Sequence, residues 1–269
     1  MLPADAPEKI PATVVRVSDL WCGYGPDPVL KGISFGIHRG EFVGILGPNG
    51  SGKTTLLLAL TGILSPSSGS VEIFGESLAT LGPKSRARKM AAVSQDADVR
   101  FPFSCEEVVH MGRYPHQKRW RMDSPEDAAV VDRALEITET TPLAPRLITA
   151  VSGGEKQRVT MAKALAQDTP LLFLDEATSA MDIHRKLQIF GILERLNRET
   201  QLTVLAVLHD VNLAALYCDR LIFLKEGNLA ADGPTASVLT PEILEELYQT
   251  RVRVYPVEGT DKRQVIFLP

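Results

Sequence analysis

The chain has 269 residues, which is enough for one large or two small domains. Hydrophobic residues make up 44% and charged residues 23%, and this composition excludes a disordered tail protein, a collagen-like chain and a coiled coil. The formal net charge of -4 at pH 7 is not that of a strongly basic nucleic-acid binder. The three cysteines form no C-x-x-C pair, so they indicate neither a zinc knuckle nor a disulfide framework and favour a reducing compartment.

The sequence shows no signal for direct membrane insertion. No segment approaches the roughly 18 consecutive apolar residues that a membrane-spanning helix needs. Residues 1–12 lack the basic start and apolar core of a secretory signal, and we expect them to be loosely ordered. If the protein works at a membrane, we expect it to do so through a partner.

Short β-like runs alternate with helical runs along the chain. In the first third, we predict strands at residues 14–17, 29–37, 41–46, 71–74 and 89–94, and a helix at 53–61. From 104 to 167 the apolar spacing is helical, with loops at 114–115 and 141–151. Strands return at 171–174, 202–207 and 221–224, with helices at 182–197 and 211–217.

This alternation predicts a mostly parallel sheet with helices on both faces. The continuously apolar runs 171–174 and 202–208 fit strands that are buried on both sides. The helical stretch in mid-chain is predicted to be an inserted subdomain. The tail is predicted to be a small helix at 241–248 and two extended segments, 251–257 and 263–268, that a turn could join as a hairpin.

A glycine-rich segment after the strand 42–46 matches GxxxxGK[ST] in full and opens a helix. It consists of Gly47, Pro48, Asn49, Gly50, Ser51, Gly52, Lys53 and Thr54. Glycines let the backbone wrap an anion, and the helix N-terminus adds partial positive charge. The motif predicts that Lys53 reaches the β- and γ-phosphates of a nucleotide and that the Thr54 hydroxyl binds Mg²⁺. A chance glycine-rich turn is the alternative, and the flanking strand and helix disfavour it.

Two carboxylates follow the apolar strand 171–174. At the carboxyl end of a parallel strand, Asp175 and Glu176 are expected to face the nucleotide crevice. Asp175 is predicted to hold Mg²⁺ directly or through water, because a hard cation prefers oxygen ligands. Glu176 is predicted to orient or deprotonate the attacking water. The alternative is a solvated acidic strand end.

Residues 151–158, VSGGEKQR, resemble the LSGGQ signature of the ATP-binding subunits of ABC transporters. Ser152 is a good N-cap, and Gly153 and Gly154 expose backbone N–H groups at the start of a helix. Val151 replaces the family's Leu and Glu155 replaces its Gln. In the family this cradle closes over the ATP of the opposite subunit, so the resemblance implies a homodimer that sandwiches two nucleotides. The residues alone also fit a capped helix start without a ligand.

Further motifs resemble the same family in the same order. His209 stands where the family has its switch histidine, which implies a contact with the γ-phosphate. Gln95 matches the Q-loop glutamine, which implies a further oxygen ligand for Mg²⁺. Residues 179–182, SAMD, resemble the D-loop. Tyr24 resembles the aromatic residue that stacks on adenine, although it would also fit a turn.

Together, the motifs and the resemblance assign site residues of three kinds. Nucleotide contacts are expected from Tyr24, Gly47, Pro48, Asn49, Gly50, Ser51, Gly52, Lys53, Thr54, Thr55, Gln95, Ser152, Gly153, Gly154, Glu155 and Asp182. Catalytic roles are expected for Lys53, Glu176 and His209, and Mg²⁺ ligation for Thr54, Gln95 and Asp175.

The resemblance covers about residues 13–250 and implies an α/β P-loop NTPase of the ABC ATPase type. That fold has a RecA-like core, an N-terminal antiparallel β part and an inserted helical subdomain. We expect residues 13–95 and 168–240 to form the nucleotide-binding core and residues 96–167 to form the helical subdomain with the signature motif. Residues 241–269 are expected to be a small C-terminal extension.

The segment between Gln95 and Ser152 is too short for the long coiled coil of DNA-repair ABC ATPases. The chain has one GxxxxGK[ST] phosphate loop, whereas paired translation-type ABC factors contain two. The class of ABC protein that remains is a separate nucleotide-binding subunit. Residues 101–116, with GRYPH at the end, resemble ATPases of importers for iron–siderophore, haem and cobalamin. The resemblance implies that residues 99–115 form part of a groove for a cytoplasmic permease helix. Cysteine cross-linking from Arg113 to a co-expressed permease would test this hypothesis.

The alternative for this segment is that His110 and His116 are plain surface residues. A metal site there is disfavoured because no third ligand is near in sequence.

The expected function is ATP hydrolysis that powers import of a metal chelate. Expected partners are a second copy of the chain, integral-membrane permease subunits and, indirectly, a substrate-binding protein, with no nucleic acid. The expected location is the cytoplasmic face of the inner membrane. The alternative is a soluble ABC ATPase that acts in regulation or assembly. A P-loop kinase or GTPase-like enzyme would explain neither the VSGGE segment nor His209.

Overall fold

The computed structural model describes residues 12–94, 101–117, 124–175 and 182–269. Its strands are β1 (Thr13–Cys22), β2 (Leu30–His38), β3 (Phe42–Leu46), β4 (Ser68–Ile73), β5 (Glu76–Ser77), β6 (Met90–Val93), β7 (Leu171–Asp175), β8 (Thr203–Val207), β9 (Arg220–Lys225), β10 (Asn228–Pro234), β11 (Val252–Pro256) and β12 (Arg263–Phe267). Its α-helices are α1 (Lys53–Leu60), α2 (Pro83–Lys89), α3 (Cys105–His110), α4 (Pro125–Ile137), α5 (Gly153–Ala166), α6 (Ile183–Thr200), α7 (Val211–Tyr217), α8 (Thr235–Val238) and α9 (Pro241–Tyr248).

The central sheet has six strands in the order β10-β9-β3-β8-β7-β6. Strands β9, β3, β8, β7 and β6 are parallel to their neighbours, and β10 pairs antiparallel with β9 at one edge. Alternate residues of β3 enter two different hydrophobic cores, Phe42 on one face and Val43 on the other. The predicted parallel sheet with two covered faces is therefore confirmed.

A second sheet, in the order β2-β1-β4-β5, is antiparallel and packs with α1 in the same core as Val43. Strand β1 is longer than the predicted 14–17. Asp19 has a positive φ of 44°, and the pairing of β1 with β2 shifts register between Val17 and Leu20. This irregularity breaks the alternation of buried and exposed residues after Val17, and the predicted strand therefore stopped there although β1 continues to Cys22.

Helices α3, α4 and α5 have a core of their own, as expected for an inserted helical part. Its buried residues include Cys105, Val108, Val131, Leu135 and Val159. The predicted α/β class, with an antiparallel N-terminal sheet and inserted helices, is therefore confirmed. The boundaries of the subdomains remain predictions.

The C-terminal part follows the prediction closely. Helix α9 has the predicted bounds 241–248, and β11 pairs antiparallel with β12 in a hairpin. Leu244 and Val265 anchor the helix and the hairpin in the core on one face of the central sheet. Within the described ranges, no helix is long and apolar enough to cross a membrane.

Candidate nucleotide-binding site

The loop between β3 and α1 has a backbone that requires glycine. Gly47, Gly50 and Gly52 have φ values of 150°, 78° and 100°. A Cβ on Gly47 would lie 2.2 Å from the Leu224 carbonyl oxygen, and one on Gly52 would lie 2.7 Å from Cδ2 of Leu30. A Cβ on Gly50 would meet nothing within 4 Å. The core therefore packs against two of the glycines and leaves Gly50 open to a ligand.

Lys53, the first residue of α1, extends its side chain back along this loop and is only 5% exposed. Its Nζ donates hydrogen bonds to the carbonyl oxygens of Gly47, at 2.8 Å, and Pro48, at 3.0 Å. The N-cap of α1 is Gly52, which provides no side-chain cap, and the first turn carries no acidic residue. The first N–H groups of a helix have no intrahelical partner, so this end of α1 offers both donors and positive charge to an anion.

The hydroxyl groups of the loop also fit a phosphate ligand. Ser51 is 3% exposed, and its Oγ has no hydrogen-bond partner. An unsatisfied buried hydroxyl costs about 1–3 kcal/mol, which a bound oxyanion would offset. Thr54 is exposed at the start of α1, whereas Thr55 is buried. The exposed Thr54 hydroxyl is the one available to a metal ion.

Strands β3, β8 and β7 lie side by side, and their carboxyl ends meet at the end of the central sheet where the phosphate loop lies. Val207 of β8 pairs with Ile45 of β3 on one side and with Asp175 of β7 on the other. The Leu208 N–H donates to the Ile45 carbonyl at 3.0 Å, and the next residue, His209, is exposed. Asp175 therefore ends β7 and His209 follows β8, at the end of the sheet where the phosphate loop lies.

Two predicted site residues, Gln95 and Glu176, lie outside the described residues, as do 179–181 of the D-loop segment. Their roles remain predictions. Asp182, which closes that segment, is exposed and caps α6 by accepting a hydrogen bond from the Arg185 N–H at 2.9 Å.

Tyr24 lies on a loop beside the phosphate loop. The Val29 N–H donates to the Cys22 carbonyl at 2.8 Å and closes the loop, and Val29 and Leu30 lie against Gly52. The Tyr24 residue is 67% exposed. This exposed position fits the predicted stacking on a base.

The signature segment opens α5 with a capping box. The Ser152 N–H donates to Oε2 of Glu155 at 2.8 Å, and the Glu155 N–H donates to Oγ of Ser152 at 3.3 Å. The first of these bonds is the main reason why the pKa of Glu155 lies below its usual value. A Cβ on Gly153 would meet nothing within 4 Å, so the surface above this helix start is open.

Gly227 is a site residue that the sequence analysis missed. Glu226 and Gly227, with φ values of 50° and 81°, form the turn between β9 and β10. The Gly227 N–H donates to the Ser51 carbonyl at 3.1 Å, and a Cβ on Gly227 would lie 1.9 Å from the Val29 carbonyl oxygen. The turn therefore supports the phosphate loop. The Gly-Asn pair after an apolar strand was the available signal.

Two residues of the GRYPH stretch, Arg113 and His116, are buried or partly buried. Arg113 is buried, its Nε donates to Oδ1 of Asp127 at 2.7 Å, and its guanidinium also donates to the Ala166 carbonyl. The hydrogen bond from Arg113 is the main cause that lowers the pKa of Asp127. Arg113 is therefore unsuitable as the cross-linking position, because it is buried and joins α4 to α5. His116 is partly buried, and its Nε2 lies 2.8 Å from the Gln167 carbonyl oxygen.

Residues of the longer segment 101–117, together with Lys163 of α5, line an open groove of about 590 Å³. Its lining residues are Glu106, Glu107, His110, Met111, Tyr114, Gln117 and Lys163. Tyr114 is 74% exposed, and Phe101, earlier in the same segment, is 71% exposed. Exposed aromatic side chains rimmed by charge are typical of a surface that binds another protein.

The fold and the phosphate loop define a P-loop NTPase of the ABC ATPase type. The model of the ABC transporter family matches residues 30–179, and the chain belongs to that family.

Individual relatives carry more specific names. The chain is 38% identical over 251 residues to a ferric enterobactin transport ATP-binding protein of Escherichia coli, covering 91% of this chain and 92% of the relative. It is 40% identical over 233 residues to a cobalamin import ATP-binding protein of Halobacterium salinarum. That match covers 87% of this chain and 57% of the relative, so the chain spans little more than half of that protein.

Solved structures agree with the fold. A structure described as a metal-chelate type ABC transporter in an inward-facing conformation superimposes with a TM-score of 0.83 at 26% identity, over 96% of this chain and 98% of that one. The dimeric structure of a bacterial ABC transporter cassette superimposes with a TM-score of 0.74 at 30% identity, over 82% and 98%.

Proposed function

We propose that this chain is the ATP-hydrolysing subunit of an importer that takes up a metal chelate through a separate membrane permease. The observation that carries the proposal is the phosphate loop around Lys53, which lies at the same sheet edge as Asp175 and His209. The cargo class is supported by the relatives named for ferric enterobactin and cobalamin. In this proposal the subunit lies at the cytoplasmic face of the membrane, held there by the permease.

Different residues of this chain bind the phosphates, the base and the metal ion of Mg-ATP. Lys53 and the N–H groups at the start of α1 bind the β- and γ-phosphates, and Tyr24 stacks on the base. Thr54, Asp175 and Gln95 are the residues that would hold Mg²⁺, which neutralises charge on the phosphates.

The hydrolytic step uses two further side chains. Glu176 orients the attacking water or takes its proton, and His209 contacts the γ-phosphate. His209 follows β8, and Asp175, the residue before Glu176 in the chain, ends β7 beside it, which supports this shared role.

The signature segment acts on the nucleotide of a second copy. Its capping box uses the N–H groups of Ser152 and Glu155 and leaves those of Gly153 and Gly154 for a ligand. In this proposal two chains close over two ATP molecules, because ATP binds the closed state better. Hydrolysis removes the γ-phosphate and reopens the dimer, and the permease converts this cycle into alternating access.

The groove beside Tyr114 is proposed to receive a short cytoplasmic helix of the permease. An amphipathic helix fits, because Met111 and Tyr114 offer apolar contacts while Glu106, Glu107 and Lys163 offer charges of both signs. In this assignment a substrate-binding protein acts only indirectly, through the permease.

The first test is the mass of the Glu176→Gln variant in Mg-ATP, measured by light scattering. We expect a monomer to become a dimer, because ATP is bound but not hydrolysed. A matched variant that also carries Lys53→Ala should stay monomeric. Bound ATP without dimerisation would contradict the proposed sandwich.

The second test is cross-linking to a co-expressed permease. All three native cysteines are buried, so a single introduced cysteine can be labelled selectively. We expect Tyr114→Cys to cross-link and Ile63→Cys, exposed on another part of the chain, not to do so. No cross-link from Tyr114→Cys, or equal cross-linking from both positions, would favour a soluble ABC ATPase with a different partner.

A further inference from the structure

The C-terminal segment 241–269 lies outside the residues matched by the family model, yet it meets the nucleotide site at two points. We call strands β11 and β12 the C-terminal hairpin. One contact runs through α9 to the phosphate loop, and the other runs from β12 to the helix that follows His209.

Tyr248, the last residue of α9, makes the first contact. It borders a cleft of about 300 Å³ that it shares with residues 48–51 of the phosphate loop. Burial raises the pKa of Tyr248 to about 12, so the phenol beside the phosphate loop is protonated and uncharged at neutral pH. Its ring packs edge-on against Phe267 of β12, with centroids 5.5 Å apart and an interplanar angle of 82°.

A second bond holds α9 at this place. Nζ of Lys225, at the end of β9, donates to the Glu246 carbonyl oxygen at 2.7 Å. The following turn carries Gly227, whose N–H donates to the Ser51 carbonyl. Residues 225–227 are therefore bonded both to α9 and to the phosphate loop, and Tyr248 of α9 borders that loop.

Asn212, the second residue of α7, makes the contact near His209. Its Nδ2 donates to the Val265 carbonyl oxygen at 3.1 Å, and its Oδ1 accepts a hydrogen bond from the Val265 N–H at 2.7 Å. The Asn212 side chain thus makes the two hydrogen bonds with Val265 that a neighbouring strand would make. The Asn212 N–H donates to Oδ1 of Asp210 at 2.9 Å, which links the bond to the residue next to His209.

Val265 and Phe267 lie two residues apart, on one face of β12 and about 7 Å from each other along the strand. We propose that the C-terminal hairpin is a positioning element that holds the phosphate loop and the His209 segment at a set spacing, with Tyr248 and Asn212 as its positioning residues. The inference rests on the proposed ATPase function. The phosphate loop binds the nucleotide and His209 acts during hydrolysis, so the two contacts predict two different kinetic effects.

The test compares Tyr248→Ala with Asn212→Ala in the full chain. Tyr248→Ala removes the ring that borders the phosphate-loop cleft and packs on Phe267, and we expect the dissociation constant of Mg-ATP to rise about 3- to 10-fold. We expect Asn212→Ala to lower kcat about 10-fold and to leave the dissociation constant unchanged, because it loosens the segment that carries His209. Tyr255→Ala, which removes an exposed ring on β11, is the matched control and should change neither.

The readouts are titration with a fluorescent ATP analogue, steady-state hydrolysis and the melting temperature. The predicted split between affinity and kcat supports the proposal. A fall in melting temperature alone, an equal effect of both variants on both constants, or no effect would overturn it. If Lys53→Ala binds ATP as well as the native chain does, the proposed ATPase function itself fails, which separates the two conclusions.

Discussion

Two helices of this protein begin at glycine-rich segments, and they differ in how the fold surrounds them. The phosphate loop before α1 has three glycines with positive φ, and neighbouring strands pack against two of them. The signature glycines, Gly153 and Gly154, have no positive φ, and the space above Gly153 is open. The first segment is fixed by the core of its own subunit, and the second is presented at the surface.

The caps of the two helices differ in the same sense. Gly52 caps α1 without a side-chain bond, whereas Ser152 and Glu155 cap α5 reciprocally. The phosphate loop also carries its own buried cation, Lys53, whereas the signature carries an acidic residue in its first turn. The phosphate loop alone is therefore a nearly complete anion site, whereas the signature needs a second surface to complete one.

The largest expected effect comes from removing the cation of the phosphate loop. Lys53→Ala should weaken ATP binding about 10- to 100-fold, because a charge-assisted hydrogen bond contributes about 1.5–3 kcal/mol. The measurement is a titration with a fluorescent ATP analogue. Lys31→Ala, at an exposed position of β2, is the control and should bind normally. An unchanged affinity in Lys53→Ala would remove the phosphate loop from nucleotide binding.

A charge placed on the signature should act on hydrolysis alone. Gly153→Asp should keep the fold, because the site is open and an acidic residue is favourable in the first turn of a helix. We expect the hydrolysis rate to fall at least about 10-fold, because the carboxylate repels the phosphates of the second subunit's ATP. The affinity for ATP should not change. Gly153→Ala adds bulk without charge and should lie between this variant and the native chain.

The comparison is sharpened by alanine at a glycine of each segment. Gly52→Ala should destabilise the protein by about 1–3 kcal/mol, because Gly52 has a φ of 100° and its Cβ would lie 2.7 Å from Leu30. Gly153→Ala should leave stability unchanged. Urea unfolding of the two variants checks this. Equal destabilisation would mean that the signature is packed as tightly as the phosphate loop.

The smallest effect is expected from Glu155→Gln, and it should depend on pH. The pKa of Glu155 is lowered in the folded state, so its stabilising contribution is complete above the ordinary value of 4.5 and is lost as pH falls through the folded pKa. The native chain should therefore exceed the variant in stability at neutral pH, and the difference should shrink below pH 4.5. Urea midpoints at both pH values measure this. A difference independent of pH would show that the carboxylate charge does not stabilise the cap.

Features that depend on neighbouring residues were predicted well from the sequence. The phosphate loop, the continuously apolar strands and the bounds of α9 all follow from local spacing. The edge strand β10 and the short helix α2 were missed, because β10 contains Gly233 and Pro234 and no residue of α2 is buried. Such segments are held by contacts with distant parts of the chain.

The roles of Glu176 and Gln95 still rest on the sequence and its resemblance to ABC transporter subunits. The sequence by itself determined the class of fold and the order of the motifs, because glycine conformations, caps and apolar periodicity are local properties. The tertiary structure shows that Arg113 is buried, that Gly227 supports the phosphate loop and that Tyr248 and Asn212 link the C-terminal hairpin to the site. These contacts join residues that are far apart in the chain, and no local pattern encodes such pairs.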